Sequence, residues 1–220
     1  GEVSQLDMEN TMKFNNRLTI VDLKPMGVKA IFEHGLAAWA VGSTPGQMCQ
    51  IGGARLSFDP SLSSGSRIHN FVIVDSNDNV VDTIVKEGQL HGDTNRIIKL
   101  VTLNFLANGG DGYPFSTYSQ RMVQIDTVQL NVGNFNFTVA GSEQDALAEY
   151  MFVKYGSKAY KTVETPIEKD ERNQNLMFRP DGILPIELDF DEPKVEVNEE
   201  AGTISVSLNY DNKTSTNASV

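Results

Sequence analysis

The residues best suited to bind a ligand lie at 103–115, where the sequence reads Leu-Asn-Phe-Leu-Ala-Asn-Gly-Gly-Asp-Gly-Tyr-Pro-Phe. Three glycines surround one carboxylate, Asp111, and glycine permits sharp turns and a close approach to a ligand. The carboxylate can accept two hydrogen bonds, for example from a diol, and Phe105 and Tyr113 offer flat apolar faces on either side. The segment suits a ribose and a base, but on composition alone an ordinary strand-to-turn corner with an Asx-turn at Asp111 is the commoner structure and is favoured.

Other kinds of site find little support in the sequence. The calcium nonapeptide of β-helices uses a similar glycine cluster, but it requires tandem copies and this chain has one. The histidines His34, His69 and His91 are far apart and lack metal-ligand spacing, and His34 lies off the apolar face of its helix and is expected in solvent. Cys49, the single cysteine, fits a small core residue. We therefore assign no catalytic residue and no metal ligand to this chain.

Composition narrows the classes of partner. The 220 residues carry a formal net charge of −11 and no basic patch, which argues against a nucleic-acid-binding protein. No segment has the length of a transmembrane helix. The chain opens with Gly1 rather than Met, so the lack of a signal peptide says nothing about its compartment.

Apolar periodicity predicts the elements that must position the glycine-rich segment. Residues 25–40 show helical i, i+3, i+4 spacing behind Pro25, a residue favoured in the first turn of a helix. A second helix is predicted at 142–155, and strands at 17–23, 48–59, 67–75, 80–85, 96–105 and 121–139. Because strands and helices do not alternate regularly, the predicted fold class is α+β, a mixed β-sheet with packed helices.

A change of composition at about 179–185 predicts a boundary between two domains. Residues 1–178 form the first domain, and residues 179–220 form a short all-β tail of alternating strands joined by acidic turns. The tail resembles the opening of a Calx-beta-type module. Its acidic residues, most simply a solvated face, offer calcium ligands as an alternative. They are Asp189, Asp191, Glu192, Glu199 and Glu200.

Four short motifs occur in an order that resembles one known family. They are Phe14-Asn-Asn16, then Phe32-Glu-His34, then Gly46-Gln-Met-Cys-Gln-Ile-Gly-Gly53, and finally the segment from Leu103 to Tyr113 with its Asn-Gly-Gly-Asp-Gly centre. This set resembles the C-terminal domain of the 5′-nucleotidase / UDP-sugar hydrolase family. Each motif is weak by itself, but the ordered set is specific, and the likeness covers residues 3–174.

The resemblance implies a role for five residues. Phe14 and Phe105 match the two aromatic rings that hold the base between them. Asp111 matches the aspartate that binds the ribose hydroxyls, Asn16 the asparagine at the base edge, and Gly46 a glycine whose backbone lies against the site.

Two departures from the family pattern concern the site. Asn15 stands where the family usually has glycine, so its side chain is expected to narrow the pocket. The phosphate-binding arginines and the metal-ligand motifs of the family are absent from these residues. The resemblance therefore implies an N-terminal metallophosphatase domain, not present in this chain, that holds two divalent metals such as Zn or Mn and performs the hydrolysis.

The resulting hypothesis is a nucleoside- or nucleotide-binding domain of a 5′-nucleotidase-type phosphoric monoester hydrolase, located outside the cytoplasm (periplasmic, secreted or at the cell surface). The chain alone is expected to be inactive. One alternative is a non-enzymatic surface or adhesion module that kept the fold. Another is a paralogue acting on nucleotide sugars or cyclic nucleotides.

Overall fold

The computed structural model describes residues 2–43, 45–125, 138–161 and 171–184, and beyond them the backbone of four short strands. The helices are α1 (Gln5–Thr11), α2 (Pro25–Leu36), α3 (Asn104–Ala107), α4 (Phe115–Tyr118) and α5 (Glu143–Tyr155), with a 3-10 turn at Gly110–Gly112. The strands are β1 (Leu18–Leu23), β2 (Ala54–Phe58), β3 (Ile68–Val74), β4 (Val80–Lys86), β5 (Gln89–Leu90), β6 (Ile98–Leu103), β7 (Ser119–Gln124), β8 (Asn173–Asn175), β9 (Leu188–Phe190), β10 (Lys194–Asn198), β11 (Thr203–Ser207) and β12 (Tyr210–Asn212).

The first domain is built from two sheets and the helix α2. One sheet has the order β6-β1-β7, and the other has the order β5-β4-β3-β2-β8. All neighbouring strands in them are antiparallel except β2 and β8, which are parallel. Buried apolar side chains from both sheets and from α2 form one core, in which Phe32 and Phe71 meet edge to face at 4.8 Å. The α+β class predicted from the sequence is confirmed.

Helix α2 begins where the sequence predicts and ends earlier. Pro25 occupies its first turn, and Leu36 is its last residue rather than residue 40. The guanidinium of Arg67 donates hydrogen bonds to the carbonyls of Leu36, Ala37 and Trp39 at 2.6, 3.2 and 3.1 Å. Because the last carbonyls of a helix lack partners within it, this side chain from the start of β3 stabilises the early end.

The segment 96–105 illustrates a partial success of the strand prediction. Its first part forms β6, but Asn104 and Phe105 belong to the helix α3, so the chain changes direction immediately before the glycines. Of the strand predicted at 121–139, only the start is observed, as β7; residues 125, 138 and 139 are not in a strand, and residues 126–137 lie outside the described part of the chain.

Residues 171–184 pack against the first domain. Strand β8 pairs with β2, and Gln174 is completely buried. Its side-chain Oε1 accepts a hydrogen bond from the Gly182 amide at 2.9 Å, and Ile183 is 3 % exposed. The packing of the first domain therefore extends past the boundary predicted at 178/179, although the division into two domains stays a prediction.

The tail contains the predicted strands. β10 pairs with β11 and β9 with β12, both antiparallel. The Calx-beta resemblance and the calcium alternative concern side chains outside the described residues.

Candidate functional site

The pairing of β1 with β6 brings two of the sequence motifs together. The strands are antiparallel, with Leu18 opposite Leu103, so the start of β1 lies beside the end of β6. Two reciprocal hydrogen bonds continue the ladder by one residue. The Asn104 amide donates to the Arg17 carbonyl at 2.7 Å, and the Arg17 amide donates to Asn104 Oδ1 at 2.8 Å. Arg17 and Asn104 therefore adjoin, and the segments 14–16 and 105–111, far apart in sequence, begin from the same end of this sheet.

Both predicted aromatic residues lie at the surface. Phe14 is 82 % exposed and Phe105 is 49 % exposed, whereas Phe58, Phe71 and Phe115 in the core are almost completely buried. The rings of Phe14 and Phe105 expose apolar surface to water, whereas the core phenylalanines of this chain bury theirs. The possibility that Phe14 and Phe105 are ordinary core residues is therefore excluded.

The glycine-rich loop is shaped by close packing as well as by backbone angles. A Cβ added to Gly110 would lie 2.5 Å from the Phe105 ring, so this position needs glycine for the ring to rest on the backbone. Asp111 has φ +52° and ψ +21°, the left-handed conformation, which costs a non-glycine residue roughly 1–2 kcal/mol. Aspartate tolerates this region better than most residues, and Asp78 and Glu87, in the turns between neighbouring strands, also have positive φ.

The Asp111 carboxylate is exposed and accepts no hydrogen bond from the residues that the structure describes. The Asx-turn considered from the sequence is thus not formed there. What holds this residue is a bond to its backbone: His34 Nε2 lies 2.8 Å from the Asp111 carbonyl oxygen. The expectation that His34 is free in solvent is wrong, because the last turn of α2 faces the glycine-rich loop.

Tyr113 does not offer a ligand-binding face, contrary to the sequence analysis. It is 3 % exposed, its hydroxyl donates to the Gln47 carbonyl, and Cys49 Sγ lies 2.9 Å from that hydroxyl. Burial raises the pKa of both Tyr113 and Cys49, so the two groups stay neutral. The ring also meets His34 edge to face at 4.7 Å and therefore supports the loop from below.

Asn15 adopts a backbone conformation that usually favours glycine, the residue expected at this position. Its φ is +46°, and asparagine tolerates the left-handed region better than most residues. Its side-chain Nδ2 points toward Thr138 Oγ1 at 3.4 Å, and its Oδ1 is buried and has no partner among the described residues. The side chain is thus turned into the protein, in contrast to the expected narrowing of a pocket.

Asn16 is held by a residue that the sequence analysis missed. Its backbone amide and its Nδ2 both donate to Glu143 Oε1, at 2.7 and 3.2 Å, and its carbonyl accepts from the Glu143 amide at 2.8 Å. Because a carboxylate only accepts, the Nδ2 end of the amide must face Glu143. The Oδ1 end points elsewhere and has no partner among the described residues. The capping position of Ser142 was the available signal for Glu143, but it indicated only a helix start.

Gly46 lies on the exposed loop before Gln47. A Cβ added there would meet no atom within 4 Å, and its φ is not in the left-handed region. Nothing in the described structure therefore requires glycine at this position. The loop reaches the glycine-rich segment through Gln47, whose carbonyl binds Tyr113 and whose Nε2 donates to the His34 carbonyl at 3.3 Å.

A second polar cluster lies on the five-stranded sheet. Asp181 Oδ2 accepts from Ser57 Oγ at 2.5 Å and Asn70 Nδ2 at 2.8 Å, and it pairs with His69 Nδ1 at 3.0 Å. Ser57 is completely buried and donates to the aspartate rather than to the histidine. The serine, histidine and aspartate therefore do not form a nucleophilic triad, which needs the base beside the hydroxyl.

In the described part of the chain, no three His, Cys, Asp or Glu side chains are grouped so that they could hold a metal ion. Nor does any helix there combine the length and apolarity needed to cross a membrane.

Comparison with known proteins gives the family. The model of the 5′-nucleotidase C-terminal domain matches residues 1–118. The chain belongs to this family. Among curated proteins, the snake venom 5′-nucleotidase of Gloydius brevicauda is 23 % identical over 164 residues, which cover 74 % of this chain and 24 % of that protein. The human 5′-nucleotidase is 26 % identical over 115 residues, 51 % of this chain and 18 % of that protein.

One solved structure supports the fold. The 5′-nucleotidase precursor from Thermus thermophilus superposes with a TM-score of 0.54 at 22 % identity, over 79 % of this chain and 28 % of that one. The chain thus spans about a quarter of the length of these relatives. What they share with it is the C-terminal domain.

Proposed function

We propose that this chain binds the nucleoside part of a nucleotide and presents its 5′-phosphate to a separate metal-containing domain of the parent hydrolase. The observation that carries the proposal is that the pairing of β1 with β6 brings the segments carrying residues 14–16 and 105–111 to the same end of one sheet, and that Phe14 and Phe105 are exposed there, as is Asp111, whose carboxylate has no partner among the described residues. Family membership supports the same reading.

Each group has a chemical task in this proposal. The rings of Phe14 and Phe105 stack on the two faces of the base, and the Asp111 carboxylate accepts hydrogen bonds from the two ribose hydroxyls. Stacking on aromatic side chains contributes ~1–3 kcal/mol per base and tolerates many bases. A carboxylate without a partner in the protein is a ready acceptor for a diol.

The orientation of the Asn16 side-chain amide determines which groups on a bound base it can contact. With Nδ2 held by Glu143, the atom left for a ligand is Oδ1, an acceptor. An acceptor matches an N–H on the base, such as the exocyclic amino group of adenine. Gly46 is exposed, and the fold does not require glycine there. In this proposal the absence of a side chain at Gly46 lets the ligand lie against the backbone of that loop.

The hydrolytic step belongs to another part of the parent protein in this proposal. Two divalent metals held there activate water and stabilise the phosphate, and the role of this chain is to fix the position of the reacting phosphate, which can supply much of the rate gain. Location outside the cytoplasm is part of the same proposal.

The ring assignment is tested by binding. Adenosine is titrated into the wild-type chain and into Phe14→Ala and Phe105→Ala, with ligand-observed NMR as the measurement. We expect each substitution to weaken binding by about 1–3 kcal/mol and to leave the urea midpoint nearly unchanged, because both rings are exposed.

The matched control is Phe115→Ala, a phenylalanine of the core, which is expected to lose ~3–5 kcal/mol of stability. Unaltered adenosine binding in both Phe14→Ala and Phe105→Ala would remove the base-stacking role.

A further inference from the structure

His34 makes a contact that the proposed function does not use. It lies in the last turn of α2, a helix fixed by buried Val28, Ile31, Phe32 and Leu36. From this rigid position its Nε2 reaches the Asp111 carbonyl at 2.8 Å, and its ring packs edge to face on Tyr113. Its own carbonyl accepts from Gln47 Nε2. This residue therefore connects the core helix with both loops, through its side chain to the glycine-rich loop and through its backbone carbonyl to the Gln47 loop.

The chemistry of the contact determines which atom carries the proton. A carbonyl oxygen only accepts, so Nε2 must be the donor. The neutral tautomer with a proton on Nε2 and the imidazolium ion both satisfy this condition. The bond is therefore a structural link between the helix α2 and the glycine-rich loop.

The bond acts on the residue whose backbone is strained. Asp111 has positive φ between Gly110 and Gly112, and Gly112 itself has φ +74°. The turn is otherwise closed by two backbone bonds, from Gly112 to Gly109 and from Tyr113 to Gly110, each at 3.1 Å. Neither of them holds the Asp111 carbonyl. The Gly112 amide bond holds the N–H side of the peptide after Asp111, and the His34 bond holds its carbonyl side. Without His34 that carbonyl has no partner among the described residues, so the backbone that carries the Asp111 carboxylate is held less firmly.

We propose that His34 is a positioning residue that fixes the Asp111 carboxylate for binding the sugar hydroxyls of a nucleoside. The inference rests on the proposed function, because it assigns to His34 the placement of a group that the proposed function uses. His34 touches no ligand in this account. Its effect is confined to the sugar, since the base is held by Phe14, Phe105 and Asn16.

The experiment separates the sugar from the base. Adenosine and 2′,3′-dideoxyadenosine, which lacks both hydroxyls, are titrated separately into the full 220-residue chain by ligand-observed NMR. His34→Phe keeps an aromatic ring against Tyr113 but removes the donor. His34→Gln places an amide N–H near the position of Nε2 and is the rescue variant. His34→Met is a second donor-free variant, to be used if the phenyl ring disturbs folding.

The wild-type chain is expected to prefer adenosine. His34→Phe should weaken adenosine binding about tenfold, the size of one well-placed hydrogen bond, and change dideoxyadenosine binding less than about twofold. His34→Gln should recover most of the preference. This pattern supports the inference because loss of general structure would weaken both nucleosides alike.

Two results overturn the inference while the proposed function stands. One is an unchanged preference for adenosine in the donor-free variants, and the other is an equal loss for both nucleosides. If the wild-type chain binds neither nucleoside, the proposed function itself fails; if it binds both equally, the ribose role of Asp111 within that function fails, and in either case the inference falls. The wild-type measurement therefore distinguishes the two failures.

Discussion

Asp181 and Asp111 are two carboxylates in opposite surroundings. Asp181 is largely buried and receives hydrogen bonds from Ser57, Asn70, His69 and the Ile183 amide. Asp111 stands exposed on a left-handed residue, and its carboxylate has no partner among the described residues. The Asp181 carboxylate is fully hydrogen-bonded within the protein and has no acceptor left for a ligand. The Asp111 carboxylate makes no such bonds among the described residues, and a glycine would adopt the same backbone conformation, so this side chain does not stabilise the fold.

This contrast separates a structural cluster from a functional candidate more reliably than residue types do. Ser57, His69 and Asp181 are the residue types of a hydrolase triad, yet their bonds tie residues 171–184 to the five-stranded sheet. Phe105 and Asp111 are the residue types of an ordinary turn, yet they leave their binding groups exposed.

The largest expected effect comes from cutting the chain on either side of the Asp181 contacts. A chain ending at residue 184 should unfold at nearly the same urea concentration as the wild type. A chain ending at residue 178 loses Asp181 and Ile183 and leaves Ser57 and Asn70 without their partner, at about 1–3 kcal/mol for each unsatisfied group.

We therefore expect the shorter chain to lose several times more stability than the longer one. Equal stability of the two truncated chains would show that the contacts of Asp181 do not hold the segment. A large loss in both would show instead that the tail strands are needed by the first domain.

A smaller effect is expected from pH. The hydrogen bond that His69 donates to the Asp181 carboxylate is the main cause that raises the pKa of His69 above its ordinary 6.5; burial opposes the rise, and the charges of Glu87 and Asp59 add to it. A raised pKa means that protonation favours the folded state, so this contribution is present below about pH 6.5 and is lost as pH rises through the shifted value. Urea midpoints should therefore decline modestly from pH 6 to pH 9.

His69→Gln is the control for this decline and should flatten it. At the acid end, hydrogen bonds from His69 and Ser57 outweigh burial and lower the pKa of Asp181 to about 2. Its contribution is therefore present above its ordinary 3.8 and is lost as pH falls toward 2. A decline above pH 6 that persists in His69→Gln would assign the titration to another group.

Many of the helices and strands, and the turn of the candidate site, could be predicted from the sequence because their signals are local. Helix α2 and the hairpin of β3 and β4 have local signals, namely the period of apolar residues and the turn at Asp75, whose carboxylate binds the Asn77 and Asn79 amides. The Asn-Gly-Gly-Asp-Gly cluster predicts a tight turn, because glycine readily adopts the backbone angles that such a turn needs.

Contacts between distant segments had no such signal. The bonds from Glu143 to Asn16 and from His34 to Asp111 join residues separated by 127 and 77 positions. Tyr113 beside the glycines gave the wrong expectation, because its burial depends on Gln47 and Cys49 across the fold. The early end of α2 likewise depends on Arg67, which no local pattern connects with that helix.

The central claim, that Asp111 serves a ligand and Asp181 serves the fold, is tested most directly by the matched pair Asp111→Asn and Asp181→Asn. Both substitutions remove a charge with little change of shape, and asparagine tolerates the backbone of residue 111. For each variant, the dissociation constant of adenosine is measured by NMR and the free energy of unfolding by urea.

We expect Asp111→Asn to weaken adenosine about tenfold and to change stability by less than about 0.5 kcal/mol. Asp181→Asn should lose about 1–3 kcal/mol of stability and bind adenosine within about twofold of the wild type. If Asp111→Asn instead destabilises the fold while adenosine binding is retained, or if Asp181→Asn abolishes binding in a folded chain, the account is contradicted.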